Sequence, residues 1–155
     1  MIPTAKTCDI GEMAPSDNAQ RARAALERVC SGADFASAAR YYSPTFVDHV
    51  NDLQFRGLEG AQQSVDMYKS VLTNLEVRVE EQVIEGDRVT SRFVVTGTNH
   101  GKHVRFNGIT ISRFDNGMIV EDWSVVDTFA LVRQLGAWRA VLMGMKQWRL
   151  LAGKR

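Results

Sequence analysis

Between Leu75 and Val126 the chain carries the pattern of four consecutive β-strands. Leu75, Val77, Val79 and Val83 alternate with Glu76, Arg78, Glu80 and Gln82, the period of two that a half-buried strand requires. Glu85-Gly86-Asp87 turns the chain, and Arg88–Thr98, Val104–Phe114 and Met118–Val126 read as three further strands. The last two are joined through Asp115-Asn116-Gly117, where Asn-Gly supplies the positive φ angles of a tight hairpin. Connections this short leave no room for crossover helices, so the strands are expected to run antiparallel. Long antiparallel meanders twist and curl, and something must cover their concave face.

The first half supplies that cover. Asp17 with Gln20 resembles a capping box, and Ala22, Ala25, Leu26 and Val29 follow at helical spacing up to Gly32. A short second helix is expected from Asp34, with Phe35, Ala38, Ala39 and Tyr42 on one face and Pro44 ending it. Thr45–Val50 reads as a short extended piece. Gly57 precedes a third helix striped by Leu58, Ala61, Val65, Tyr68 and Leu72. Helices first and a meander afterwards is an α+β order. The expected fold is therefore α+β: three N-terminal helices packed on a curved antiparallel sheet that forms a cone with an internal pocket. Residues 1–15 read as a flexible tail, 16–136 as the domain and 137–155 as a helical extension. In that extension Trp138, Leu142 and Trp148 alternate with Lys146 and Arg149, the pattern of an amphipathic helix docked on the domain or on a partner.

Composition narrows the class. A chain of 155 residues that is 45% hydrophobic and 24% charged suits one globular domain. Its net charge of +1 argues against a nucleic-acid surface or a polybasic membrane anchor. No apolar run approaches the roughly 20 residues of a membrane helix. The opening MIPTAKTCDIGEMAP lacks the apolar stretch of a secretory leader, so a cytoplasmic protein is expected. Cys8 and Cys30 form no CxxC pair and belong to no His/Cys cluster at metal spacing, which fits free thiols.

Several strings taken in order resemble the SnoaL-like polyketide cyclases, a family of the superfamily named for nuclear transport factor two. They are PTFVDHV (44–50), RGLEGAQQ (56–63), EGDRVTSRFVVTGTNHG (85–101) and SRFDNGMIVEDWSVVDTFALVRQLG (112–136). The last is the most specific, with a hairpin ending in Asn-Gly, then Glu-x-Trp, Asp and Leu-x-x-Gln-Leu-Gly. The resemblance implies a conical pocket, acid/base chemistry without a cofactor or metal, a small-molecule substrate and a dimer packed through the sheet. In the cyclases an aspartate in the pocket is the acid/base of an intramolecular aldol closure. By position in the closing motif Asp127 matches it best, with Asp122 as competitor. His49 and His100 match positions where a histidine commonly faces the pocket. The chain departs from the family pattern in a short Gly101–Arg105 connection, in VNDLQF at 50–55 and in the length beyond Gly136.

The residues themselves leave these choices open. A carboxyl can serve as acid or base once burial lifts its pKa towards neutrality. Asp127 stands at a strand-to-helix junction, where aspartate also caps helices. Asp122 shares a strand face with Val120, Ser124 and Val126, and Glu121 shares the other with Ile119, Trp123, Val125 and Asp127; alternation alone does not say which face is inside. His49 goes with Val47, opposite Phe46 and Asp48. His100 and His103 fall at a hairpin turn, His103 in the solvent-facing reading. Glu81 interrupts an apolar alternation, as a pocket carboxylate or as the mark of a bulge. Trp123, Phe93, Phe106, Tyr42 and Tyr68 are candidates for the aromatic lining. The leading expectation is an enzyme that cyclises a hydrophobic carbonyl compound such as a polyketide intermediate. A cofactor-free hydroxylase, isomerase or hydrolase, or a binding module without catalysis, remains as the rival on the same scaffold.

Overall fold

The computed structural model of the protein describes residues 15–135. The tail expected over 1–15, Pro15 apart, and the extension expected over 137–155 lie outside the described residues. The elements in chain order are α1 (Pro15–Ala24), a π-helical turn (Ala25–Cys30), a 3-10 turn (Phe35–Arg40), β1 (Tyr42–Val50), β2 (Leu53–Arg56), α2 (Gly57–Lys69), β3 (Thr73–Glu85), β4 (Arg88–Asn99), β5 (Lys102–Asp115), β6 (Met118–Val126) and α3 (Thr128–Leu135). The class is α+β, as expected. The six strands form one sheet in the order β2-β1-β6-β5-β4-β3.

The meander is the part that local sequence dictates most directly. β5 alternates buried and exposed positions from His103 to Asp115 with Arg113 only half-buried. Val104, Phe106, Thr110, Ser112 and Phe114 point inward, while Ile109 and Ile111 sit on the outer face at 48% and 36% exposure. The β4–β5 turn is a two-residue hairpin with His100 at φ 46° and Gly101 at φ 79°, the left-handed pair that such a turn needs. Asn116 and Gly117 do the same between β5 and β6.

Three features differ from the sequence expectation. The second helix is a 3-10 turn ending at Arg40, and Tyr42 and Pro44 already belong to β1; the ladder is irregular between Tyr42 and Val47, where Pro44 has no N–H to donate. β2 was not anticipated. It returns along β1 after a turn with Asn51 at φ 50°. The sheet is also not wholly antiparallel, because β1 joins β6 in parallel. Those two strands are distant in the chain, and α2 with the meander makes the long crossover that a parallel pair requires.

Two bulges reset the inside-outside phase. The β3–β4 register slips between Val79 and Glu81, so Val79 is buried at 4% exposure while Glu81 lies outside and pairs with Arg92 at 3.1 Å. The β5–β6 register slips between Arg113 and Phe114. Ile119 and Asp122, three residues apart, consequently both face inward.

β3 ends the sheet, and its edge is covered. Arg23 Nη1 donates to the Val79 carbonyl at 2.8 Å, and the Val79 N–H donates to Glu27 Oε1 at 3.0 Å. The helical segment thereby satisfies main-chain groups that an open edge strand leaves unpaired. Two apolar clusters fill the cone. One gathers Leu26, Leu72, Phe93, Phe106 and Leu131 beneath β3–β5. The other gathers Val29, Tyr42, Phe46, Phe114 and Ile119 beneath β1 and β6.

Candidate active site

A cavity of about 700 Å³, open mouth included, lies between the two clusters and draws its walls from both. A concave, mostly apolar space with a few convergent polar groups suits a small organic molecule. Most of the lining is apolar, with Leu26, Val29 and Val77 among it. Phe93 is part of the lining and its ring lies against Gly108, where a Cβ atom would collide with it. The polar contribution is concentrated on Asp48, Asp122, Ser64, Ser124, Tyr42, Tyr68 and the Cys30 thiol.

The two aspartates stand side by side on the inner face of the sheet. Asp48 on β1 and Asp122 on β6 are register partners in the parallel ladder, with backbones about 5 Å apart. They are 9% and 5% exposed. Burial is the main influence on both. It lifts Asp48 to about 6, opposed by a hydrogen bond from Ser64 and by the nearby His49. It lifts Asp122 to about 8, assisted by the charge of Asp48 and opposed by a hydrogen bond from Ser112. The asymmetry has a simple cause: Asp48 ionises first, beside a neutral neighbour, and its charge then resists the second ionisation. Asp122 Oδ1 is buried without a hydrogen-bond partner. A carboxyl oxygen in that condition is costly unless a ligand answers it.

The remaining polar groups are neutral. Burial pushes the Cys30 thiol up to about 12, so it is no thiolate nucleophile. The Tyr42 hydroxyl lies 3.5 Å from Cys30 Sγ, and burial raises both Tyr42 and Tyr68 above the ordinary phenol value. Among the described residues neither lysine, arginine nor histidine lines the cavity. Among the described residues no three of His, Cys, Asp and Glu converge where a metal ion could be held.

Of the residues singled out from the sequence, Asp122, Tyr42, Tyr68 and Phe93 line the cavity. Asp127 does not. It is exposed, and its Oδ1 accepts from the Ala130 N–H at 2.8 Å, the geometry of a helix N-cap. The bulge in β6 gives the physical reason, since it turns Asp122 inward and leaves the chain to exit the sheet before Asp127. Asp127→Ala is expected to cost about 1 kcal/mol of stability, read by urea denaturation, through loss of that cap. A loss of catalysis with stability unchanged would contradict this placement.

His49 and Trp123 lie on the outer face, paired in register and stacked with ring centroids 5.7 Å apart. His49 Nε2 is 3.0 Å from Glu121 Oε1, Arg113 holds that carboxylate below its usual range, and the Arg88 guanidinium lies 5.6 Å from the Trp123 ring centroid. His100 occupies the exposed hairpin turn, and His103 is exposed beside it. Phe106 is buried behind Tyr68, ring centroids 6.1 Å apart, and Glu81 faces solvent. Sequence reasoning missed Asp48. Its signal was present as a lone acid between Phe46 and Val50 on one strand face, but the resemblance gave the pocket-facing role to the neighbouring His49, on the other face of that strand.

The comparisons with known proteins agree with this fold. The model of the SnoaL-like polyketide cyclase family matches residues 20–135. A proposed polyketide cyclase from Bacillus cereus ATCC 10987 is 29% identical, with 77% of this chain and 78% of that one covered and a TM-score of 0.66. IdmH, a proposed polyketide cyclase from Streptomyces antibioticus, shares the fold at 23% identity, covering 79% and 99% of the two chains with a TM-score of 0.66. AclR, a proposed hydroxylase from Streptomyces galilaeus, is 25% identical over 77% and 97% of the chains, with a TM-score of 0.64. No curated protein matches in sequence. The match across most of the chain and the shared cone establish that this protein belongs to the SnoaL-like polyketide cyclase family.

Proposed function

We propose that the protein is a cofactor-independent cyclase that closes a ring in a hydrophobic, carbonyl-bearing molecule, such as a polyketide intermediate, by an aldol-type step, with Asp122 as the acid/base. The observation that carries this reading is the buried Asp122 carboxyl, whose Oδ1 has no hydrogen-bond partner, in an otherwise mostly apolar cavity. A protonated carboxyl beside a carbonyl donates to the oxygen on which charge develops, and an apolar surround strengthens that donation. Tyr42, Tyr68 and Phe93 supply aromatic surface for the carbon skeleton. The test is turnover of Asp122→Asn on a cyclisable β-polyketone ester. Unchanged turnover in a folded variant would sink the assignment.

The likeness to AclR supports a second reading, a cofactor-free hydroxylase using the same cavity. Dioxygen uptake that depends on Asp122, without ring closure, would select it. The resemblance also supports a dimer packed through the sheet, and the outer face offers exposed Ile109, Ile111 and Val125 at 48%, 36% and 69%. A dimer mass in sedimentation at micromolar concentration is expected; a monomer there would refute the pairing.

A further inference from the structure

We infer that Asp48 is a second catalytic carboxyl, the base that removes the proton from carbon while Asp122 supplies the proton to oxygen. The inference rests on the acid/base reading above and adds to it a division of labour. Four structural observations support it. Both side chains line the same cavity. They are register partners on adjacent parallel strands. Each is held by a hydroxyl from a different element, Ser64 on α2 for Asp48 and Ser112 on β5 for Asp122. Asp122 keeps one oxygen free of partners.

Two carboxyls at paired positions in one apolar site hold a single proton between them near neutrality, because both cannot ionise cheaply together. The groups facing them are Ser64, Ser112, Tyr42, Tyr68 and Cys30, all neutral near pH 7. Among the described residues the basic side chain that acts on Asp48 is His49, on the opposite sheet face. The pair therefore stands at neutral pH as ionised Asp48 and protonated Asp122, one base and one acid side by side.

The step balances within the pair. The Asp48 carboxylate takes a proton from the carbon next to one carbonyl of the substrate. The electron pair left on that carbon forms the new C–C bond to the second carbonyl carbon, whose π electrons move to its oxygen. That oxygen takes the proton of Asp122. The proton now on Asp48 passes to the adjacent Asp122 carboxylate, and the starting state is restored without any outside reagent.

The experiment has two arms, both on the full chain with Asp48→Asn and Asp122→Asn alongside the parent and folding checked by circular dichroism. In the first, ¹³C-labelled aspartate carboxyls are titrated by NMR in the ligand-free protein. Asp48→Asn should lower the Asp122 midpoint by more than one unit; an unmoved midpoint overturns the pair. In the second, deuterium exchange into the acidic position of 2-tetralone, a small hydrophobic ketone, is followed in D₂O. Exchange should fall about a hundredfold or more in Asp48→Asn and less than tenfold in Asp122→Asn. Exchange at the parent rate in Asp48→Asn, with loss in Asp122→Asn, overturns this inference and leaves Asp122 as the single acid/base. A coupled pair in a protein that catalyses no exchange at all counts instead against the carbonyl chemistry on which the inference rests.

Discussion

Asp122→Asn is expected to lose about two to four orders of magnitude in ring closure while gaining stability relative to the parent as the pH rises. In the folded protein Asp122 keeps its proton up to about 8, whereas an aspartate in the unfolded chain releases it near 3.9. Between those values the folded state binds more protons than the unfolded one, so raising the pH drains stability from the parent; above 8 the loss levels off. Asparagine has no proton to lose. The gap between variant and parent should therefore widen by about 5 kcal/mol from pH 4 to pH 8, measured by urea denaturation at a series of pH values. Asp48 adds a smaller loss between 4 and 6 in both proteins and cancels in the comparison. Parallel stability curves for the two proteins would mean that Asp122 is solvated and not the buried acid described. A buried group that weakens the fold and sits in the binding cavity is the usual signature of a site kept for function.

The second large effect is expected from Phe106→Ala, at about 3–5 kcal/mol of stability and a fall in Tm on the order of 10 °C. Phe106 is 2% exposed and packs with Leu72, Val104 and Leu131 in the cluster beneath β5. Its removal leaves a hole behind Tyr68, its stacking neighbour, and the interior is too closely packed to close over it. Because Phe106 stands one layer behind the cavity, the variant should keep the pH dependence of the two aspartates. Thermal denaturation monitored by circular dichroism reads the first effect, and a loss below 1 kcal/mol would place Phe106 outside the core. Comparing Asp122→Asn with Phe106→Ala separates the two demands on the chain, since one substitution is expected to remove chemistry and add stability and the other to remove stability and leave the aspartate pair in place.

The meander, the α2 stripe and the Asn-Gly hairpin were legible because each rests on local chemistry. Alternation fixes which residues of β5 are buried, and Asn116-Gly117 fixes a tight turn whatever surrounds it. The resemblance in the closing motif was equally local. It named two acids and put Asp127 ahead of Asp122, while alternation left open which face is inside. The choice fell to the extra residue in β6 opposite Arg113 and Phe114, which shifts the phase of one strand against its neighbour and turns Asp122 into the cavity. The same kind of slip in β3 put Glu81 outside. Bulges depend on how two strands accommodate each other, and no single strand records them.

The sequence by itself determined an α+β domain with a long antiparallel meander, helices preceding it and a family motif at its close, because hydrophobic period and turn residues act over a few neighbours. Only the tertiary structure decided which acids meet. Asp48 and Asp122 are 74 residues apart in the chain and become neighbours through the parallel β1–β6 pairing. Their raised pKa values follow from burial once the cone has closed around them, and the charge of Asp48 adds to the rise on Asp122.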